Sequence, residues 1–196
     1  MSLSPQLIIN VFYPVVHTHD VFVYGTLKKG QPNYFRMKDT ANGQADFLAH
    51  ARTVERYPLV IATEYNIPFL LNVPGKGHRV YGEIYRVNKT MLNFLDKFEE
   101  CPEWYQRIKI QLEVQDGDGK GENTLKPGSI VETDVYVKTT NEPDWLQKPT
   151  YENYDTNGAH GLKYIDSATM PTQNPTKPAI YTECGVVQNG TKDPQQ

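Results

Sequence analysis

Asp20-Val-Phe-Val-Tyr-Gly-Thr-Leu-Lys-Lys-Gly30 reads as a strand that stops abruptly at a glycine. Val21, Phe22, Val23 and Tyr24 have the β-branched and aromatic makeup of a buried strand, and Gly25 lets the chain turn where a side chain would not fit. Gly25 and Gly30 bracket a short loop whose N–H groups could grip an anion. A nucleotide-phosphate loop requires Gly-x-x-x-x-Gly-Lys-Ser/Thr, and here Gly30 is followed by Gln31 and Pro32, so that reading fails. Taken alone, the stretch favours a plain turn from a strand into a short helix with Pro32 early in it.

Working outward, Pro32-Asn-Tyr-Phe-Arg-Met37 has room for one or two helical turns, and residues 43–55 are compatible with a strand. Tyr57-Pro-Leu-Val-Ile61 and Ile67-Pro-Phe-Leu-Leu-Asn-Val73 are short, aliphatic and broken by proline, as strands near an edge or a bulge are. Both are expected in one curved sheet. Pro74-Gly-Lys-Gly77 is a turn, and residues 79–87 form the next strand. A helix follows, capped by Asn88, with Met91, Phe94, Leu95 and Phe98 as its apolar stripe. Asp96, Lys97, Glu99 and Glu100 are assigned to the opposite face, and Pro102 ends the helix.

Ile108, Ile110, Leu112 and Val114 alternate with polar residues as in a half-buried antiparallel strand, and residues 130–138 form the last strong strand. Between them, Asp116-Gly-Asp118 hints at a calcium loop, but its fifth and twelfth positions are Lys120 and Pro127, so a flexible hairpin connection is expected. Residues 142–146 can form a turn of helix, and 151–164 a polar loop. Many short strands with one strong helix describe an α+β domain whose sheet curls into a small β-barrel with flanking helices. The expected organisation is an N-terminal extension over 1–19, the domain over 20–165, and a disordered tail over 166–196 with a stray strand at 179–187.

Among the 196 residues, Lys and Arg neither outnumber the acids nor cluster, and the net charge of −3 gives no footprint for nucleic acid. No window approaches the run of about 20 apolar residues that a membrane span requires. Leu7-Ile-Ile-Asn-Val-Phe-Tyr-Pro-Val-Val16 has the length of a signal core but no preceding Lys or Arg and no small-x-small site, so it is expected to be an extension. Cys101 and Cys184 form no Cys-x-x-Cys pair, which points to a reducing, cytoplasmic setting. Asn88-Lys-Thr90 and Asn189-Gly-Thr191 are then chance matches to the glycosylation sequon.

The five histidines (His17, His19, His50, His78, His160) show no ligand spacing, and no nucleophile elbow or His-Glu-x-x-His motif occurs. No metal site is expected. Glu83 stands out because Arg79-Val-Tyr-Gly-Glu-Ile-Tyr-Arg-Val87 alternates so that Tyr81, Glu83, Tyr85 and Val87 share a face. A carboxylate among aromatics is partly desolvated, which favours its neutral form and suits proton transfer. An outward-facing Glu83 paired with Arg79 or Arg86 is the equal alternative. Gly82 beside it permits close approach of backbone or ligand.

Val21-Phe-Val-Tyr-Gly-Thr-Leu27, Tyr57-Pro-Leu-Val60, Asn66-Ile-Pro68, Gly82-Glu83, Cys101-Pro102, Tyr105-Gln-Arg107, Tyr154-Asp155 and His160-Gly-Leu162 together resemble the γ-glutamylcyclotransferase superfamily, and within it the γ-glutamylamine cyclotransferases. The resemblance spans about residues 21–164. It implies a small barrel, no cofactor, and a small-molecule γ-glutamyl amine substrate that closes on itself to 5-oxoproline and releases its amine. It also implies that Tyr24, Gly25, Thr26 and Leu27 hold the γ-glutamyl end, that Tyr105 helps bind substrate, and that Glu83 moves the protons. Action on γ-glutamyl α-amino acids and a non-catalytic binding module are the alternatives, and the oligomeric state stays open.

Overall fold

The computed structural model describes residues 18–117, 124–140 and 142–166. The expected N-terminal extension lies outside these residues apart from its last two, and so does the tail with its stray strand at 179–187, apart from its first residue. Five strands close into a barrel in the order β1 (Thr18–Val23), β5 (Tyr81–Asn88), β2 (Ala45–Thr53), β6 (Gln106–Gly117) and β7 (Ile130–Val137). Neighbours are antiparallel except at the closure, where β1 runs parallel to β7 with Val21 opposite Asp134 and Phe22 opposite Val135. β1 starts at Thr18, so the expected domain boundary at residue 20 falls inside a strand.

Alternation along the five strands sorts the apolar residues into two cores. Phe22, Ala49, Ala51, Ile84, Ile110, Leu112, Val114, Val135 and Val137 form one cluster inside the ring. Val21, Val23, Tyr85 and Val87 face the other way and pack under helix α2 (Lys89–Phe98). Because both faces of β1 are covered, its sequence is a continuous apolar run rather than an alternating one.

The strands around Pro58 and Pro68 are not part of the ring. β3 (Leu59–Ala62) and β4 (Ile67–Leu70) pair with each other in a separate two-stranded sheet. This corrects the expectation of one curved sheet. Pro68 has no N–H to give a second neighbour, and the hairpin instead joins the barrel at its end, where Lys138 N donates to Leu70 O at 2.8 Å.

Helix α2 starts where Asn88 caps it, its side chain accepting from Met91 N at 2.9 Å. Its buried residues are Met91, Leu92 and Leu95, while Phe94 and Phe98 are only partly covered. The apolar stripe is therefore turned from the expected one, toward Leu92. A short helix α1 (Tyr34–Lys38) follows the glycine loop, as expected from Pro32 onward.

Candidate active site

β1 delivers the loop of residues 24–30 to one end of the barrel. Tyr24 is fixed first: its hydroxyl donates to Tyr136 O at 2.9 Å and accepts from Leu70 N at 3.2 Å, tying β1 to β7 and β4. Gly25 is demanded by packing rather than by a left-handed backbone, since a Cβ there would lie 2.9 Å from Pro68 Cγ. The loop is then held from within by Lys28 N to Gly25 O and Asn33 N to Thr26 O. Among the described residues, the amides of Thr26 and Leu27 have no protein acceptor.

These residues wall a cavity of about 60 Å³, space for a few waters and hence for the compact end of a small polar ligand. Tyr24, Gly25, Thr26, Leu27 and Tyr105, all five expected substrate contacts, lie on its wall. Tyr105 is stacked on Phe69 at 5.6 Å, which fixes its ring there.

Glu83 is not on that wall. It is buried, as its aromatic face suggested, but Oε2 accepts from Lys29 N and from Tyr85 Oη, each at 2.9 Å. Neither arginine considered for it is its partner: Arg79 pairs with Glu113, and Arg86 with Asp20 at 2.9 Å. Glu83 thus pins the far end of the glycine loop. Next to it, Lys28 is buried, donating to Asn153 Oδ1 and to Tyr154 O at 2.8 Å. Burial pulls the Lys28 ammonium down to about 8, with Glu83 and Asp155 pulling back.

Two acidic residues expected on the outer face of the helix, Glu99 and Glu100, line this cavity. Glu99 caps the C-terminus of α2, its N–H donating to Leu95 O at 2.9 Å. Its residue surface is only partly covered, yet its carboxyl is enclosed, and burial pushes it from an ordinary 4.5 up to about 8. Tyr24 feels this carboxyl: its phenol is pushed above its usual value by burial first and by Glu99 second. A signal was present, because Glu99 follows Leu95 by four residues and Leu92 by seven, the spacing of one helix face.

Asp96 anchors this end of the helix. Arg107 donates to it twice, at 2.8 and 3.2 Å, and Tyr136 Oη donates at 2.7 Å. His160, outside the cavity lining, shapes the segment after residue 151 by accepting from Leu162 N at 2.9 Å.

The displaced titration of Glu99 links stability to pH. Below 4.5 both folded and unfolded chains carry the proton and the contribution is complete; as pH rises toward 8 only the unfolded chain ionises, so stability is lost. Wild type is expected to lose about 2–4 kcal/mol between pH 5 and pH 9 relative to Glu99→Gln, whose amide does not titrate. Urea unfolding of both proteins at the two pH values checks it; equal pH dependence would mean an ordinary carboxyl.

Among the described residues, no group of three or more His, Cys, Asp or Glu is placed to hold a metal ion, and no helix is long and apolar enough to cross a membrane. A protein from Danio rerio called Gamma-glutamylaminecyclotransferase B is 67% identical over 150 residues, covering 76% of this chain and 75% of its own length. The Homo sapiens Gamma-glutamylaminecyclotransferase is 48% identical over 144 residues, covering 74% and 94%. The crystal structure of an AIG2-like protein from Mus musculus superposes with a TM-score of 0.71 at 48% identity, covering 81% of this chain and 99% of that one. The family described as Gamma-glutamyl cyclotransferase, AIG2-like, matches residues 21–156, which take in the second half of β1, the other four barrel strands, the glycine loop and the helix that Glu99 caps. The chain belongs to that family.

Proposed function

We propose that this protein is a γ-glutamylamine cyclotransferase in which Glu99, rather than Glu83, moves the protons. The carrying observation is that Glu99, whose carboxyl burial pushes up to about 8, lines the same small cavity as the loop of Tyr24 to Leu27. The names of its relatives supply the substrate class.

The substrate carries both reactants, so the site has mainly to fold it and manage its protons. The α-amine attacks the γ-carbonyl, a C–N bond forms to close the five-membered ring, and the original γ-amide C–N bond breaks. Ionised Glu99 takes one proton from the α-ammonium and passes it to the departing nitrogen; the ring nitrogen sheds a second proton after attack and the amine leaves as its ammonium, so no proton is gained or lost overall. A carboxyl that titrates near neutral pH can do both halves of that transfer. The amides of Thr26 and Leu27 are the available donors for a substrate oxygen. A cytoplasmic location fits the same reading, with Cys101 a free thiol.

Incubation with γ-glutamyl-ε-lysine is expected to yield 5-oxoproline and free lysine in equal amounts. Faster turnover of γ-glutamyl α-amino acids run alongside would reassign the substrate, and binding without turnover would reduce the domain to a binding module. Glu83→Gln is expected to keep turnover within about tenfold of wild type, while weakening the hold on Lys29 N and lowering stability by about 1–3 kcal/mol in urea. Loss of turnover as deep as in Glu99→Gln would return proton transfer to Glu83.

A further inference from the structure

The segment after residue 151 crosses back over the glycine loop and adds one side chain to the cavity, Tyr164. This residue lies beyond the stretch matched by the family, which ends at residue 156. Its backbone is held on both sides: Tyr164 N donates to Thr156 Oγ1 at 2.9 Å, Asn66 Nδ2 to Lys163 O at 2.8 Å, and Ile165 N to Tyr65 O at 2.9 Å. The segment is thus a docked strap.

The phenol is oriented by Asn33, 4% exposed, whose Nδ2 donates both to Thr26 Oγ1 at 3.0 Å and to Tyr164 Oη at 3.3 Å. Since the Tyr164 oxygen accepts here, its own hydrogen is left over, and no acceptor for it occurs among the described residues. One amide therefore sets a phenol donor beside Thr26, on the same wall as the unpaired loop amides. Donors converging from two segments suit an anionic oxygen, whereas the ammonium of the substrate is served by Glu99.

Resting on the cyclotransferase reading, we propose that Tyr164 is a substrate-binding residue that donates its phenol hydrogen to the α-carboxylate of the γ-glutamyl group. It holds the part of the substrate that every γ-glutamyl amine shares, so its contribution is independent of the amine released.

Tyr164→Phe tests this, with 5-oxoproline as the probe because it keeps the carboxylate and lacks the leaving amine. The variant is expected to raise KM for γ-glutamyl-ε-lysine about tenfold with kcat within about twofold, and to weaken 5-oxoproline binding in an NMR titration by the same factor. Its unfolding midpoint is expected to match wild type. Unchanged 5-oxoproline binding overturns the proposal, as does a fall in kcat at constant KM. Thr156→Val removes one tether of the strap and keeps the phenol; an equal loss of 5-oxoproline affinity in that variant would assign the effect to strap placement and also overturn it. If wild type itself neither forms nor binds 5-oxoproline, the cyclotransferase reading has failed and the role of Tyr164 falls with it.

Discussion

Glu99→Gln is expected to lower kcat by about 10²- to 10⁴-fold, the range that positioned proton transfer supplies. The amide matches the carboxyl in size, so the cavity walls of Tyr24, Gly25 and Tyr105 keep their places and binding of 5-oxoproline survives. Only the proton acceptor is gone. In wild type, kcat is expected to climb as pH rises through about 8, because the ionised form must be present to take the ammonium proton. The residual rate of the variant should lack that limb. Steady-state release of 5-oxoproline across pH 6–10 measures both, and a variant within a few-fold of wild type would remove Glu99 from the chemistry.

The second large effect concerns the barrel wall beneath the loop. Gly82 lies where β5 crosses the end of β1, and a Cβ added there would sit 2.5 Å from Val23 O and 2.6 Å from the Phe22 ring. One of these neighbours is backbone and the other a fully buried aromatic, so neither can swing aside as a flexible side chain would. Gly82→Ala is therefore expected to cost about 3 kcal/mol or more, lowering Tm by about 6–12 °C. Because the displaced strand carries the loop, kcat/KM should fall with it. Thermal unfolding decides: an unchanged Tm would mean that β1 and β5 do not meet so closely.

What could be read from sequence follows from how local its cause is. The apolar strand before Gly25, the glycine stop, the Asn88 cap and the alternation of Ile110, Leu112 and Val114 are set by neighbours in the chain and appear in the structure, although the strand runs from Thr18 to Val23 and leaves Tyr24 just beyond it. On the sequence alone Phe94 and Phe98 count at full weight as core, which turns the helix so that Glu99 faces out and hides its place on the cavity wall. The helix is instead turned toward Leu92 and Leu95, leaving those rings half-covered and stacked on each other at 5.9 Å. Glu83 was placed correctly among aromatics, with Tyr85 now its hydrogen-bond partner. Its alternation could not tell which side of the glycine loop holds the cavity, since that depends on how the hairpin of Leu59–Ala62 and Ile67–Leu70 and the strap fold over the barrel end. Pairing partners far along the chain leave no trace in composition or period.

The parallel closure of β1 on β7 sets an order of events in time. Tyr24 is secured by a carbonyl 112 residues downstream, and Asn33 meets Tyr164 across 131 residues. During synthesis the glycine loop is made early but has no complete wall until nearly the whole domain has left the ribosome. Such distant pairings favour slow folding, so catalytic competence should arrive as the last step of maturation rather than growing with chain length.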